Sequence, residues 1–292
     1  MRNEKLALRK KILNSLSSQG DLPAFPEVVA RLDEELRSIN VSDRGIADLI
    51  KSDLTLSGRI LQVANSAFYG GGRREVTSLS MAITRLGQRK IREVTYSLAL
   101  AKLFTDSKII DHRRFWRHSI GVASFSQALC RRTGFPAVIE ENAYLAGLMH
   151  DVGVMVFAKV IPDEYRLFLQ EVAGRETSLP AQEKAFFGID HAELGYEFIQ
   201  KWWPVADTVS SAVAAHHSPI DPSAPVRNIC QLVNIANTIC NFLNFDNGVN
   251  VYSSVYSESA WLMLGINLED VEDLLEEVQA SIRYAEELLG FV

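Results

Sequence analysis

Apolar residues recur along this chain three and four positions apart, the spacing of a helix face, and almost nowhere in the alternation of a strand. Val28, Leu32 and Leu36 make one such stripe, and Leu56, Ile60 and Val63 make another. The pattern predicts an all-α protein. Asp53 and Ser78 stand where N-caps belong, and Gly87 follows the run Leu79, Ala82, Ile83, Leu86 where a C-terminal glycine is expected. Breaks at Gly70 to Arg74, Thr105 to Asp111 and Ser218 to Pro225 bound the helices and suggest two packed helical halves. The last segment, Leu268 to Leu289, puts Val271, Leu274, Leu275, Val278 and Ile282 on one face. Glu269, Asp270, Glu272, Asp273, Glu276 and Glu277 crowd the remainder. It reads as a solvated outer helix, with partner docking as the alternative use of its acidic face.

Composition narrows the class. With 292 residues, 47% hydrophobic and 23% charged, the chain is an ordinary globular sequence, which excludes disorder and collagen-like repeats. Lysine plus arginine number 30 against 36 aspartate plus glutamate, a net charge of -6, so no DNA binding is expected. Three cysteines, Cys130, Cys230 and Cys240, form no Cys-x-x-Cys pair and fit free thiols in a reducing compartment. The start, MRNEKLALRKKILNSL, is basic without the apolar run of a signal peptide, and no later stretch is expected to span a membrane. A cytoplasmic location follows as the expectation.

Two basic features read as structural. The glycine run Gly70-Gly71-Gly72 with Arg73 and Arg74 lacks the preceding strand and the GxxxxGK[ST] spacing of a phosphate loop, so it is taken as a turn. Arg85, Arg89, Lys90 and Arg92 are taken as a solvated helix face.

The histidines carry the chemistry. All 6 lie between His112 and His217. His118 shares a helical face with Phe115, Val122, Phe125 and Leu129, so its imidazole falls on a stripe that should be buried. His150-Asp151 ends the apolar helix AYLAGLM, His191 opens HAELGYEFIQKWW, and His216-His217 ends TVSSAVAA. Imidazole nitrogens with a carboxylate suit iron, manganese, zinc, nickel or cobalt. On spacing alone two readings stand, a metal site and a set of scattered core and surface histidines.

The succession His118, His150-Asp151, His191, His216-His217 resembles the HD superfamily of helical metal-dependent phosphohydrolases. Within it, LPAFPEVVARL, IKSDLTLSGRILQVANSAFYG and VTSLSMAITRLG, with IDHAELGYEFIQKWWPVADTVSSAVAAHH further on, resemble the HDOD domain over about Gly20 to Phe242. The resemblance implies a multi-helix bundle of two halves. Residues 1–19 would form an N-terminal helix, 20–242 the HDOD domain, divided into 20–105 and an HD-like 106–242, and 243–292 a C-terminal helical extension.

By the same resemblance, one metal position would use His118, His150, Asp151 and a later aspartate, which here is Asn237 in LVNIANTI. A second would use Asp151 as a bridge with His191, His216 and His217. One or two divalent ions of iron, nickel, zinc or manganese are implied. Val154 stands where cyclic-dinucleotide phosphodiesterases of the HD-GYP type carry a lysine, and SPIDPSAP replaces their Gly-Tyr-Pro signature. The resemblance therefore implies a bacterial signalling or regulatory module with a degenerate HD site, a signalling protein as partner and a nucleotide as candidate ligand. No catalytic residue is assigned. The competing expectation is a phosphohydrolase acting on a nucleotide or cyclic dinucleotide, and a third leaves the histidines purely structural, with His112 outside the site. Trp202, Trp203 and Pro204 are expected to pack the two halves together rather than stack a base.

Overall fold

Amphipathic stripes of this kind bury their apolar faces only against other helices, and every regular element among the described residues is helical. A computed structural model describes residues 2–16, 22–38, 41–66, 69, 74–105, 107–175, 177–217, 224–249 and 258–290. Two compact units emerge: Phe25–Leu103 with Ala280–Val292, and Met1–Ala24 with Phe104–Gln279.

The smaller unit contains α2 (Glu27–Arg37), α3 (Asp43–Ile50), α4 (Leu54–Asn65) and α5 (Leu79–Ala101) around Leu32, Ile46, Ile50, Ile60, Val63 and Ile91. Asp53 and Ser78 cap as expected, accepting from the backbone N–H of Leu56 and Met81. Gly87 has φ 79° and breaks α5 into two helical stretches, so the glycine marks a kink from which a second stretch starts at once. Asn65 clasps Val76 by two backbone bonds of 2.8 Å. The glycine run read as a turn lies outside the described residues.

The basic cluster on α5 is not a solvated face. Arg85 donates to the backbone carbonyls of Ala64 and Arg74, Lys90 pairs with Glu93 at 2.6 Å, and Arg92 pairs with Asp33 at 2.7 Å. Tyr96 donates to the same Asp33 carboxylate, and its hydroxyl pKa is pushed up by burial and by that carboxylate. These cations are committed within their own unit, because α5 is buried on several sides and its long side chains reach back over the helix.

The larger unit holds α1 (Arg2–Ser15), α6 (His112–Thr133), α7 (Ala137–Met149), α8 (Val152–Val160), α9 (Pro162–Val172), α10 (Leu179–Phe187), α11 (His191–Trp202), α12 (Asp207–Ala215), α13 (Ala224–Phe242) and α14 (Glu258–Leu264). The last helix, α15 (Leu268–Leu289), passes from this unit into the smaller one. Its acidic face is partly engaged, Asp270 and Asp273 with Arg132 and Glu277 with Arg131, whereas Glu269, Glu272 and Glu276 stay exposed. Trp203 is buried edge-on to Phe198, and Trp202 donates to the carbonyl of Leu16, so both tryptophans pack inside the larger unit.

One run, Ala137–Val160, is long and apolar enough to cross a membrane by length and composition alone. The fold uses it otherwise. It forms α7 and α8 with His150 and Asp151 between them, and 89% of its apolar window is buried inside the protein. A buried core helix needs no polar face, which is why its hydropathy mimics a span.

Helix α8 crosses α11 at two glycines. A Cβ on Gly153 would lie 1.9 Å from the carbonyl oxygen of His191 and 2.8 Å from the amide of Gly195. That contact holds His191 against the Asp151 end of α8. Gly153→Ala is therefore expected to destabilise by about 2 kcal/mol or more, since the obstacle is backbone and cannot swing away. Gly58→Ala, where a Cβ meets nothing within 4 Å, is expected to be neutral or slightly stabilising. Thermal denaturation of the two variants checks the contrast.

Candidate metal centre

Five helix ends and faces of the larger unit converge on one carboxylate. His118 projects from the buried stripe of α6, between Phe115 and Val122. His150 caps the C-terminus of α7. Asp151 follows with φ -97° and ψ 9°, the bridge conformation that turns the chain into α8. An aspartate at such an N-cap ordinarily accepts from its own helix, but Asp151 makes no side-chain cap bond, and its carboxylate is left to face inward. His191 is the first residue of α11, whose capping role is taken by Asp190, and His216 caps the C-terminus of α12 with His217 behind it.

The two oxygens of Asp151 face two different sets of nitrogens. Oδ2 lies 3.2 Å from His150 Nε2 and 3.6 Å from His118 Nε2. Oδ1 lies 3.3 Å from His191 Nε2 and 3.6 Å from His216 Nε2, and His217 Nε2 is 2.8 Å from His191 Nε2. Two groups of ligand-type atoms result, His118, His150 and Asp151 in one and Asp151, His191, His216 and His217 in the other. The side chains of His118, His150, Asp151, His191 and His216 are 0% exposed, and His217 is 9% exposed as a residue.

The outer hydrogen bonds decide the tautomers. His118 Nδ1 meets the carbonyl of Phe245, His150 Nδ1 that of Gly147 at 2.8 Å, and His216 Nδ1 that of Val213 at 2.7 Å. A carbonyl only accepts, so each Nδ1 carries its hydrogen and, in the neutral ring, each Nε2 presents a lone pair inward. Burial lowers the pKa of both His118 and His216 to about 4, which keeps these two rings neutral at pH 7. His118 Nε2 and His150 Nε2 are 3.2 Å apart, near enough for one cation, a proton or a metal, to be shared between them.

His191 differs. Burial opposes its charge, but the carboxylates of Glu183 and Asp151 outweigh burial and raise its pKa well above the ordinary value. Glu183 is itself fully buried; its Oε2 accepts from His191 Nδ1 at 2.6 Å and from the His191 backbone amide at 2.8 Å, while Tyr165 donates to Oε1 at 2.8 Å. Burial likewise opposes the charge on Asp151, yet the surrounding histidines hold its pKa well below the usual carboxylate range. The centre thus contains a buried anion whose Oδ1 has no hydrogen-bond partner, beside His216 Nε2 and His217 Nδ1, which also have none. Unpartnered polar atoms of this kind around a carboxylate fit a divalent metal of the nitrogen-and-oxygen class, with iron, nickel, zinc and manganese as the candidates.

Asn237 lies on α13, fully buried. Its Oδ1 accepts from Asn241 at 2.8 Å and its Nδ2 is buried without a hydrogen-bond partner. His112 is half-buried at the start of α6 and belongs to neither group. Sequence reasoning missed Glu183, although a signal existed: Leu179, Glu183 and Phe187 are four apart on one face of α10, which sets a carboxylate in an apolar stripe. It also missed the loop after α13. There Phe245 holds His118, Asp246 pairs with Arg114, and Asn247 donates to Asp151 Oδ2 at 2.7 Å. An Asn-Gly pair after a helix reads only as a turn.

The family model for the HDOD domain matches residues 22–219. This chain belongs to the HDOD family. Among similar structures is that of an HDOD domain protein from Geobacter sulfurreducens, 24% identical, with 99% of each chain covered and a TM-score of 0.81. Another, from Shewanella amazonensis SB2B and provisionally named a phosphohydrolase, is 19% identical, with 96% of this chain and 98% of that one covered and a TM-score of 0.74. These likenesses establish the HDOD fold. A curated relative, an uncharacterized protein of Treponema pallidum (strain Nichols), is 24% identical over 224 residues. The match takes in 77% of this chain but only 43% of that relative's length. In this HDOD protein the helix that carries Asn237 and the loop that carries Asn247 lie beyond the segment matched by the family model.

The electrostatics set a pH dependence. In the metal-free protein His118 and His216 are neutral when folded and protonate near 6.5 when unfolded, so between pH 6.5 and about 4 the unfolded state binds more protons. Their contribution is fully present above pH 6.5 and is lost as the pH falls towards 4. The melting temperature of the metal-free protein is expected to drop through that window. Because a metal must displace the proton that His191 carries, metal uptake is expected to release protons and to tighten as the pH rises, which calorimetry in buffers of different ionisation enthalpy measures.

Proposed function

We propose that this HDOD protein is a regulatory module that acts by binding, organised around a metal centre of the HD type with two positions. The observation that carries this reading is the departure of the residues around the ions from a catalytic set, in a centre whose ligating side chains are all buried. Asn237 and Val154, both fully buried, make that departure: a neutral amide stands where the first position's fourth ligand would be a carboxylate, and a valine stands where a cation for phosphate would be.

In this reading His118, His150 and Asp151 hold one ion, and Asp151, His191, His216 and His217 hold the other. Bound metal supplies the positive charge that the converging lone pairs and the buried carboxylate lack, so it ties five helices of the larger unit together. The partner is a signalling protein, for which the exposed acids of α15 offer a docking face, and a nucleotide is the candidate small ligand. A cytoplasmic setting suits the three cysteines, all free and buried.

One feature favours a second reading, a metal-dependent phosphohydrolase acting on a nucleotide or cyclic dinucleotide. Asp151 directs its two oxygens to separate histidine sets, the arrangement of a bridging carboxylate between paired ions that can activate water. Elemental analysis of protein purified without chelator or histidine tag, followed by assay against bis(p-nitrophenyl) phosphate and cyclic dinucleotides, separates the two. The expected result is bound iron, nickel, zinc or manganese, its loss to background in Asp151→Asn, and no metal-dependent turnover. Turnover that disappears with Asp151→Asn establishes the hydrolase instead, and absence of metal after incubation with each cation removes both readings.

A further inference from the structure

The two positions of the centre are unequal. Asp151 Oδ2, on the side of His118 and His150, already accepts from the Asn247 amide at 2.7 Å. The histidines on that side are hydrogen-bonded by the neutral carbonyls of Phe245 and Gly147, and the one carboxylate besides Asp151 acting on His118, Asp246, is paired with Arg114. Asn237 brings no charge, and its oxygen is engaged by Asn241. On the other side Oδ1 has no hydrogen-bond partner, three imidazoles surround it in place of two, and one of them, His191, is backed by the carboxylate of Glu183.

A dication is stabilised by the number of its ligands and by the anionic charge around it, and a carboxylate behind a ligating histidine raises the basicity of the ring. Glu183 is held for this task. Its Oε2 takes both N–H groups of His191, and Tyr165 fixes the other oxygen, so the carboxylate cannot rotate away. We propose that the centre loads in a fixed order, the position beside His191 filling first and tightly, with Glu183 as the positioning residue that makes it the stronger one. The position beside His118 and His150 fills second, at higher metal concentration, and is therefore the one whose occupancy varies. This inference rests on the metal-centre reading above.

Titration of the metal-free protein with Mn²⁺, followed by calorimetry and by electron paramagnetic resonance, is expected to show two steps of different affinity. Glu183→Gln keeps an oxygen for both His191 bonds and removes the charge. It is expected to weaken the tight step about 10- to 100-fold and leave the weak step nearly unchanged. Asn237→Asp is expected to strengthen the weak step. A crystal soaked with one equivalent of Mn²⁺ gives an independent readout that needs no variant: the anomalous peak is expected beside His191 and His216. A peak beside His118 and His150, equal affinities, or a tight step untouched by Glu183→Gln in a variant of unchanged circular dichroism would overturn the order of loading while leaving the centre itself in place. Failure of the unaltered protein to bind Mn²⁺ or any of the other candidate cations would remove the metal-centre reading and this inference together.

Discussion

The ionised carboxylate of Asp151 is the constraint to which the larger unit is fitted. An uncompensated charge in the interior is among the costliest things a fold can hold. Here it lies at the junction of α7 and α8, completely buried, with histidines from α6, α11 and the end of α12 turned towards it. The glycine crossing of α8 on α11, the bridge conformation at Asp151 and the capping of α11 by Asp190, which leaves His191 as its first residue, accompany that placement. Each brings a ligand end of a helix close to the same oxygens.

Around the carboxylate, the second nitrogens of the rings do as much as the first. Backbone carbonyls at Phe245, Gly147 and Val213 fix a hydrogen on Nδ1 of three imidazoles and turn their Nε2 inward, and burial keeps His118 and His216 from protonating at neutral pH. A purely structural cluster would pair donors with acceptors. This one directs the Nε2 atoms of four helix ends and faces at a single buried carboxylate, with a proton on His191 where a metal would take its place. The single charged backing group, Glu183, breaks the symmetry of the arrangement.

Much of this was legible in the sequence because it follows from helical spacing. His118 shares its stripe with Phe115, Val122 and Phe125, and the pairs His150-Asp151 and His216-His217 close apolar runs, so their burial could be anticipated. Position on a helix end says little about what the far nitrogen meets, however, and the carbonyls of Phe245 and Val213 leave no trace in a pattern of side chains. Glu183 and Asn247 were missed for related reasons, one hidden in a helix of mixed character and the other in a turn. The basic residues of α5 were misjudged because partners such as Asp33 lie far off in the chain. The run Ala137–Val160 shows the limit of hydropathy, which records burial without saying in what.

The central claim is that bare Nε2 atoms converge on Asp151 in readiness for a cation. Nitrogen-15 NMR of the histidine rings in metal-free protein at pH 7, before and after zinc is added, tests it most directly. The account predicts that His118 and His216 each carry hydrogen on Nδ1 and none on Nε2, and that zinc shifts their Nε2 resonances and that of His150. Hydrogen on Nε2 of His118 or His216, or resonances that zinc leaves in place, would contradict it.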